Sequence, residues 1–339
     1  MSAAERLDDR SGAAGVARAI AAGFVLAVND LLQLTPEYRD YVWGGQRLRP
    51  GQLTAEAWIV YEGDRIVNGS LQGRTLAEAA QELGAELLGE NPVKRTGTRF
   101  PLLIKILDCN DWLSVQVHPN DEQARRMEGP DQLGKTEAWH ILDAVDDAQL
   151  IAGVKEGTTA EALAAAIRNG TIIDRAQYHT ARTGASIFMP AGTLHALGPG
   201  FLVYEVQQTS NITYRIFDWN RPASAGRALH IEQSVAVTNP QGTGHIQPIG
   251  DLRPDDQRQL VQCPYFTLEL LTAQTQPVTL NTHGVSFHAL TIIDGQGTIE
   301  CAEERITLKR FETVLIAAKA GAYQLGPIGS VRALKASVE

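Results

Sequence analysis

Side chains able to hold a metal ion gather in two short segments of this 339-residue chain. The first is LSVQVHP, residues 113–119. Side chains alternate along a strand, so Ser114, Gln116 and His118 share one face while Val115 and Val117 share the other. Polar groups that point into an interior need partners such as a ligand or a metal. Alone, Gln-x-His is a weak signal, because a single histidine beside a proline is ordinarily structural. The second segment is GASIFMPAGTLH, residues 184–195. Its spacing, G-x5-P-x-G-x2-H, describes a strand, a tight turn set by Pro190 and Gly192, and a returning strand led by His195. Such a turn aims an imidazole into the mouth of a barrel. The bland alternative is a chance turn carrying a surface histidine.

The second segment matches the second signature of the cupin barrel residue for residue. The first cupin signature ordinarily reads H-x-H followed closely by Glu. Here Gln116 takes the place of the first histidine, and the nearest convincing carboxylate is Glu137, in LGKTEAWHIL. Two imidazoles, a carboxylate and a carbonyl oxygen make a mixed nitrogen and oxygen shell. That shell suits one zinc ion per chain, and also manganese, iron, cobalt or nickel. His140, His179, His230, His245, His283 and His288 lack ligand spacing and read as surface or core residues.

The elements that must position these groups are short and β-rich. PLLIKILDCN, WLSVQVHP, ASIFMPAG, FLVYEVQQ and ITYRIFDW read as strands, and YFTLELLTA, VSFHALTIIDG, GTIECAEERITL, ETVLIAA and SVRALKA repeat the style near the C-terminus. Many closely spaced strands predict sandwiches or barrels rather than a parallel βαβ sheet. Helical signals are fewer. Thr75 and Glu78 stand in capping-box spacing ahead of an apolar period, and TTAEALAAAIRNG is capped by Thr158 or Thr159 and stopped by Gly170. The expected architecture is mainly β: two cupin, jelly-roll-like modules with a small helical insertion. The expected limits are an N-terminal extension over 1–30 and a catalytic cupin domain over 31–238, with the helical insertion at about 120–170. A polar linker over 239–256 then leads to a second cupin-like domain over 257–339, which lacks P-x-G-x-x-H and should hold no metal.

Composition narrows the function. Hydrophobic residues make up 44% and charged residues 20%, ordinary for a globular protein. The formal net charge of −9 repels a phosphate-coated polymer, so no nucleic-acid partner is expected. A few local Lys and Arg residues can still reverse the sign inside a pocket for a small anion. The apolar stretch from Ala13 to Val28 is too short to span a bilayer and contains Arg18, and MSAAERLDDR lacks the positive balance of a secretory signal. Three scattered cysteines with no CxxC pair fit a reducing cytosol. A cytoplasmic protein without membrane contact is therefore expected, either monomer or homodimer.

Several motifs in order resemble one family. YRDYVWGGQRL, FPLLIKILDCNDWLSVQVHPND, GKTEAWHIL, MPAGTLHALGPG and VYEVQQTSNITYRIFDWNR are similar to the type I mannose-6-phosphate isomerases in their shorter bacterial form, across roughly residues 35–335. The resemblance implies a zinc site at Gln116, His118, Glu137 and His195, and interconversion of mannose 6-phosphate and fructose 6-phosphate. It also implies that Lys105, Ser114, Lys135, Glu205 and Arg215 surround a phosphorylated sugar. Two departures stand out. Many relatives carry Asp where this chain has Asn211, and longer members carry His where it has Gly134.

Aldose–ketose isomerisation moves a proton between adjacent carbons through an enediolate-like intermediate. A cation near the developing oxyanion and a positioned base both serve that step. Lys135 is a base candidate if its surroundings lower its pKa, and Glu205 is the other. In ITYRIFDW, Arg215 shares a face with Thr213 and Phe217, opposite Ile212, Tyr214 and Ile216, and is placed to grip a phosphate or an enediolate oxygen. The bland alternatives are an ion pair for Lys135, a buried Glu205–Arg215 pair, and a surface position for Lys105. Rival functions are another cupin sugar-phosphate isomerase, a cupin dioxygenase, or a non-catalytic, metal-dependent sugar-binding cupin.

Overall fold

The structure, a computed structural model, describes residues 29–222 and 227–338. Apart from Asn29 and Asp30, the expected N-terminal extension lies outside the described residues. Strands dominate because the chain alternates short β-branched and aromatic runs with turn residues.

Two sheets form the first module. Seven strands run in the order His245–Gln247, Ser186–Met189, Glu137–Ala144, Phe201–Gln208, Leu102–Asp108, Glu56–Val60 and Glu37–Arg39. Five run in the order Tyr214–Phe217, Val115–Val117, His195–Leu197, Gln149–Val154 and Ala176–Thr180. Every pairing is antiparallel. Trp139, Ile141, Leu197, Phe201 and Val203 belong to the core cluster of this module. On the outer side of the five-stranded sheet, Val115, Val117, Tyr214 and Ile216 cluster with Leu163, Ala166 and Ile167 of the helix Ala160–Arg168.

The C-terminal module is an eight-stranded sheet dominated by two long strands, His288–Cys301 and Ala322–Ser337. Their pairing shifts register between Ile292 and Asp294 and between Gly295 and Gly297. Such irregularities bend a strand and let one sheet curl over its own core of Leu271, Leu290, Ile299, Val314 and Leu325. A fourth cluster joins the modules: Ile104, Ile106, Tyr204 and Val206 meet Phe266, Leu268, Ala289 and Leu334. The architecture is the two-module cupin type. Among the described residues, hydrogen bonding runs through three separate sheets, so the modules are curled and facing sheets rather than closed barrels.

Three stretches differ from the expected limits. Leu31–Gln33 pairs with Thr313–Ile316, so the first described strand completes the C-terminal sheet. Its residues divide their burial accordingly, Leu31 in the C-terminal core and Leu32 in the cluster between modules. The linker stretch contributes His245–Gln247 to the edge of the seven-stranded sheet. Residues 120–170 hold the helices Asp121–Glu128 and Ala160–Arg168, with the strands Glu137–Ala144 and Gln149–Val154 between them. A short apolar run such as EAWHIL carries no period that separates buried strand from buried helix. Thr75 and Glu78 form the capping box of the helix Leu76–Leu83 as their spacing predicts. No described helix is long and apolar enough to cross a membrane.

Candidate metal centre and the cavity beside it

Three neighbouring strands of the five-stranded sheet set the site. His195 and Arg215 both lie opposite Gln116 in register, on either side of Val115–Val117. The alternation read from LSVQVHP holds: Ser114 and His118 are buried, Gln116 lines the cavity, and Val115 and Val117 sit in the opposite core. The facing sheet supplies Glu137, Lys105 and Glu205. Lys105 and Glu205 are paired in register on adjacent strands, while Ile104 and Ile106 turn to the other side.

His118, Glu137 and His195 bring their ligand atoms within 4.8 Å of one another, all three buried. His118 Nε2 and His195 Nε2 are 3.1 Å apart, and each lies 3.4 Å from a Glu137 oxygen. Their tautomers follow from the other ring nitrogen. His118 Nδ1 meets Ile212 O at 2.9 Å and His195 Nδ1 meets Thr193 O at 2.8 Å. A carbonyl only accepts, so both Nδ1 atoms carry the proton and both Nε2 atoms present lone pairs. Burial, helped by the Lys135 ammonium, pushes His118 down to about 3, and burial also lowers His195. Burial alone would raise Glu137, but Lys135, His195 and His118 outweigh it and hold the carboxyl well below the usual range. Among the described residues, Glu137 Oε1 is buried with no hydrogen-bond partner.

Two imidazole lone pairs, met among the described residues only by Lys135 Nζ and the Gln116 amide, converge beside a carboxylate oxygen that has no hydrogen-bond donor, which is the arrangement a divalent cation would complete. The amide nitrogen of Gln116 lies 3.3 Å from His195 Nε2, and a half-turn of the amide offers its oxygen there instead. The donor set therefore fits a divalent cation. Lys135 adds a charge to the same nest: Nζ lies 2.9 Å from His118 Nε2 and ion-pairs with Glu137 Oε2.

A cavity of about 430 Å³ opens beside this nest. Lys105, Gln116, Lys135, Glu205, Asn211, Thr213 and Arg215 all line it, so most residues singled out by sequence meet on one wall or another. Lys105 is buried rather than on the surface, 3.1 Å from Glu205 and 3.9 Å from Glu56. Burial pulls its pKa down, but Glu205, Glu56 and Glu137 together outweigh that and hold it above the ordinary lysine value. Glu205 accepts from Trp139 Nε1 at 2.9 Å and lies 3.9 Å from Lys135. Its partners are thus two lysines and a tryptophan, and not Arg215. Arg215 Nε donates to Ser114 Oγ at 3.2 Å.

Sequence reasoning missed Tyr41, Trp43, Glu56, Arg227 and His230, which also line the cavity. Tyr41 and Trp43 stand in the YRDYVWGG segment, where two adjacent glycines were the available signal. A Cβ on Gly45 would fall 2.3 Å from Asp108 Oδ2, the carboxylate that receives both the backbone and Nε of Arg47. That close approach pins the loop over the cavity. Gly134 has a similar cause. A Cβ there would lie 2.5 Å from the Asn120 backbone, so the histidine of longer relatives does not fit this chain's path.

The model of the type I phosphomannose isomerase catalytic domain matches residues 31–140, and that of the mannose-6-phosphate isomerase cupin domain matches residues 256–332. The mannose-6-phosphate isomerase ManA of Bacillus subtilis is 33% identical over 314 residues, covering 86% of this chain and 94% of the relative. A mannose-6-phosphate isomerase of Streptococcus mutans is 34% identical over 306 residues, covering 84% and 92%. The crystal structure of the mannose 6-phosphate isomerase from Bacillus subtilis superposes with a TM-score of 0.80 at 29% identity, covering 91% of this chain and 99% of that one. With the cupin fold and the His, His, Glu nest already in place, these likenesses along nearly the whole chain make it a member of the type I mannose-6-phosphate isomerase family.

Proposed function

We propose that Gln116, His118, Glu137 and His195 hold one zinc ion, and that Lys135, Glu205, Arg215, Lys105 and Ser114 act on a phosphorylated sugar beside it. The protein is a metal-dependent aldose–ketose isomerase that interconverts mannose 6-phosphate and fructose 6-phosphate. The observation that carries the site assignment is the pair of imidazole lone pairs facing each other 3.1 Å apart beside an unpartnered carboxylate oxygen. Two nitrogens and two oxygens around a small buried space favour zinc among common divalent ions.

When bound, the cation stabilises negative charge that develops on the substrate oxygen as a proton moves between neighbouring carbons. Lys135 is the group placed to carry that proton, because its Nζ reaches the ligand nest and lines the cavity at once. Such a positioned group is worth about 10²–10⁴-fold. Glu205 orients rather than transfers: it holds Lys105 at 3.1 Å and is itself fixed by Trp139. Arg215 and Lys105 offer cationic N–H groups to the anionic oxygens of the substrate. The cytoplasm, where phosphorylated sugars are found, is the compartment that fits this substrate. We also place the catalytic domain at 31–238, the linker at 239–256 and a supporting, metal-free module at 257–339, with Leu31–Gln33 lent to the latter sheet.

The test is conversion of fructose 6-phosphate to mannose 6-phosphate by purified protein, before and after chelation and with zinc restored. Loss on chelation and recovery with zinc support the assignment. Turnover that survives complete metal removal overturns it.

A further inference from the structure

One end of the cavity is built by a strap of chain that spacing and motif left aside. Residues 227–230 run beside the strand Tyr214–Phe217 and clasp Arg215. The His230 N–H donates to Arg215 O at 2.7 Å, and the Arg215 N–H donates to His230 Nδ1 at 3.2 Å. Arg215 Nη1 donates to Ala228 O at 2.9 Å. Two guanidiniums then meet at one hydroxyl, because Arg215 Nε and Arg227 Nη2 each donate to Ser114 Oγ at 3.2 Å. Ser114 shares a face with Gln116 two residues away, so this end begins roughly 6.6 Å along the strand from the proposed ligands.

The charges here do not cancel. Asp218 is shared, 2.9 Å from Arg221 and 3.3 Å from Arg227, while Arg215 makes no ion pair among the described residues. Arg227 Nη1, the nitrogen that faces Asp218, is buried and makes no hydrogen bond among the described residues, so the ion pair leaves its N–H groups without an acceptor. His230 completes the wall. Its Nδ1 accepts from a backbone N–H, so the neutral ring carries its proton on Nε2. Burial, with Arg215 adding to it, lowers His230 below the ordinary value and keeps it neutral at pH 7. This wall therefore offers two cationic forks and a neutral N–H donor, the complement of a phosphate.

We propose that Arg227 and His230 complete, with Arg215 and Ser114, the seat of the sugar's phosphate and set the preference for phosphorylated over free sugar. The proposal rests on the isomerase reading above and names which residues give that site its selectivity.

The experiment uses zinc-loaded full-length protein, kinetics with fructose 6-phosphate, and inorganic phosphate as a competitive inhibitor. Arg227→Gln should raise both KM and the phosphate inhibition constant by about 10–100-fold, the range for a lost charge-assisted hydrogen bond, with kcat changing far less. His230→Asn keeps an acceptor for the Arg215 N–H but lacks the outer donor, and should weaken phosphate about tenfold, as for one neutral hydrogen bond. His230→Gln, which returns an amide N–H near the Nε2 position, should recover most of that loss. The reverse order, with Asn benign and Gln harmful, would reduce His230 to a brace for the backbone and overturn its assignment. Unchanged phosphate inhibition in Arg227→Gln, with turnover intact, overturns the phosphate seat and leaves the isomerase standing. If the native protein turns nothing over, phosphate titration by calorimetry still decides the seat: weaker binding in Arg227→Gln supports it while the isomerase reading fails. Equal melting temperatures across the variants exclude misfolding as the cause.

Discussion

The two modules bury the same kinds of side chain and use them in opposite ways. In the C-terminal module, His288 Nδ1 meets Tyr323 Oη at 2.8 Å, Lys335 ion-pairs with Glu269, and Gln257 donates to the same carboxylate at 2.7 Å. Each of these groups is matched within the chain, Glu269 Oε2 by its ion pair with Lys335 rather than by a hydrogen bond. In the catalytic module, the Nε2 atoms of His118 and His195 converge 3.1 Å apart, Glu137 Oε1 accepts no hydrogen bond among the described residues, and a cavity of about 430 Å³ adjoins them. Buried polar groups that satisfy one another specify a fold. Those left open to a common point specify a site. The histidine and the carboxylate are therefore less informative than whether their ligand atoms converge on one point beside a cavity.

The largest expected effect breaks that contrast directly. His118→Ala or His195→Ala should abolish stoichiometric metal and lower turnover by about 10³-fold or more, several kcal/mol of transition-state stabilisation at 1.36 kcal/mol per decade. His288→Ala should cost stability while leaving metal content and turnover per folded molecule unchanged. Metal analysis and kinetics on the three variants check this. Next, Lys135→Met should reduce kcat by about 10²–10⁴-fold with the metal retained, which separates the proton carrier from the ligands.

The C-terminal pair sharpens the comparison from the other side. Removing one member of a buried pair strands the other, so Lys335→Met or Glu269→Gln should each destabilise by about 3–5 kcal/mol. Replacing both residues with Met should recover most of that loss in denaturant titrations. A further effect concerns acid. His288 is pushed down to about 3 and His140 to about 4 by burial, both below the unfolded value of 6.5. The unfolded chain therefore binds protons that the folded chain refuses. This contribution to stability is complete above about pH 6.5 and is lost as pH falls toward 4 and then 3. Melting of metal-free protein between pH 7 and 4 should fall, and His288→Gln should make the decline shallower.

How much of this was legible follows from where each constraint resides. The alternation in LSVQVHP and the turn in GASIFMPAGTLH are local, and the inward direction they give His118 and His195 is the one the structure has, because side-chain direction on a strand is a backbone property. Glu137, Lys105 and Glu205 come from the facing sheet, and only the ordered set of family motifs linked them to the histidines. The inward face of Arg215 was likewise readable from ITYRIFDW, since Tyr214 and Ile216 pack on the outside. Arg227 and His230 were not readable, because their role depends on a strap that closes against Arg215 and leaves no periodic trace. The strand Leu31–Gln33 was missed as part of the C-terminal sheet for a related reason. Its partner, Thr313–Ile316, lies at the other end of the chain, and pairing over such a separation is a tertiary fact.

Metal stoichiometry, measured together with isomerase activity in the native protein and in His195→Ala, tests the central claim most directly. The account predicts one zinc per native chain, with turnover that follows the metal through chelation and restoration, and neither in the variant. A His195→Ala protein that is folded and still carries one metal per chain with native turnover would contradict it, and would move the site away from the His118, Glu137 and His195 nest.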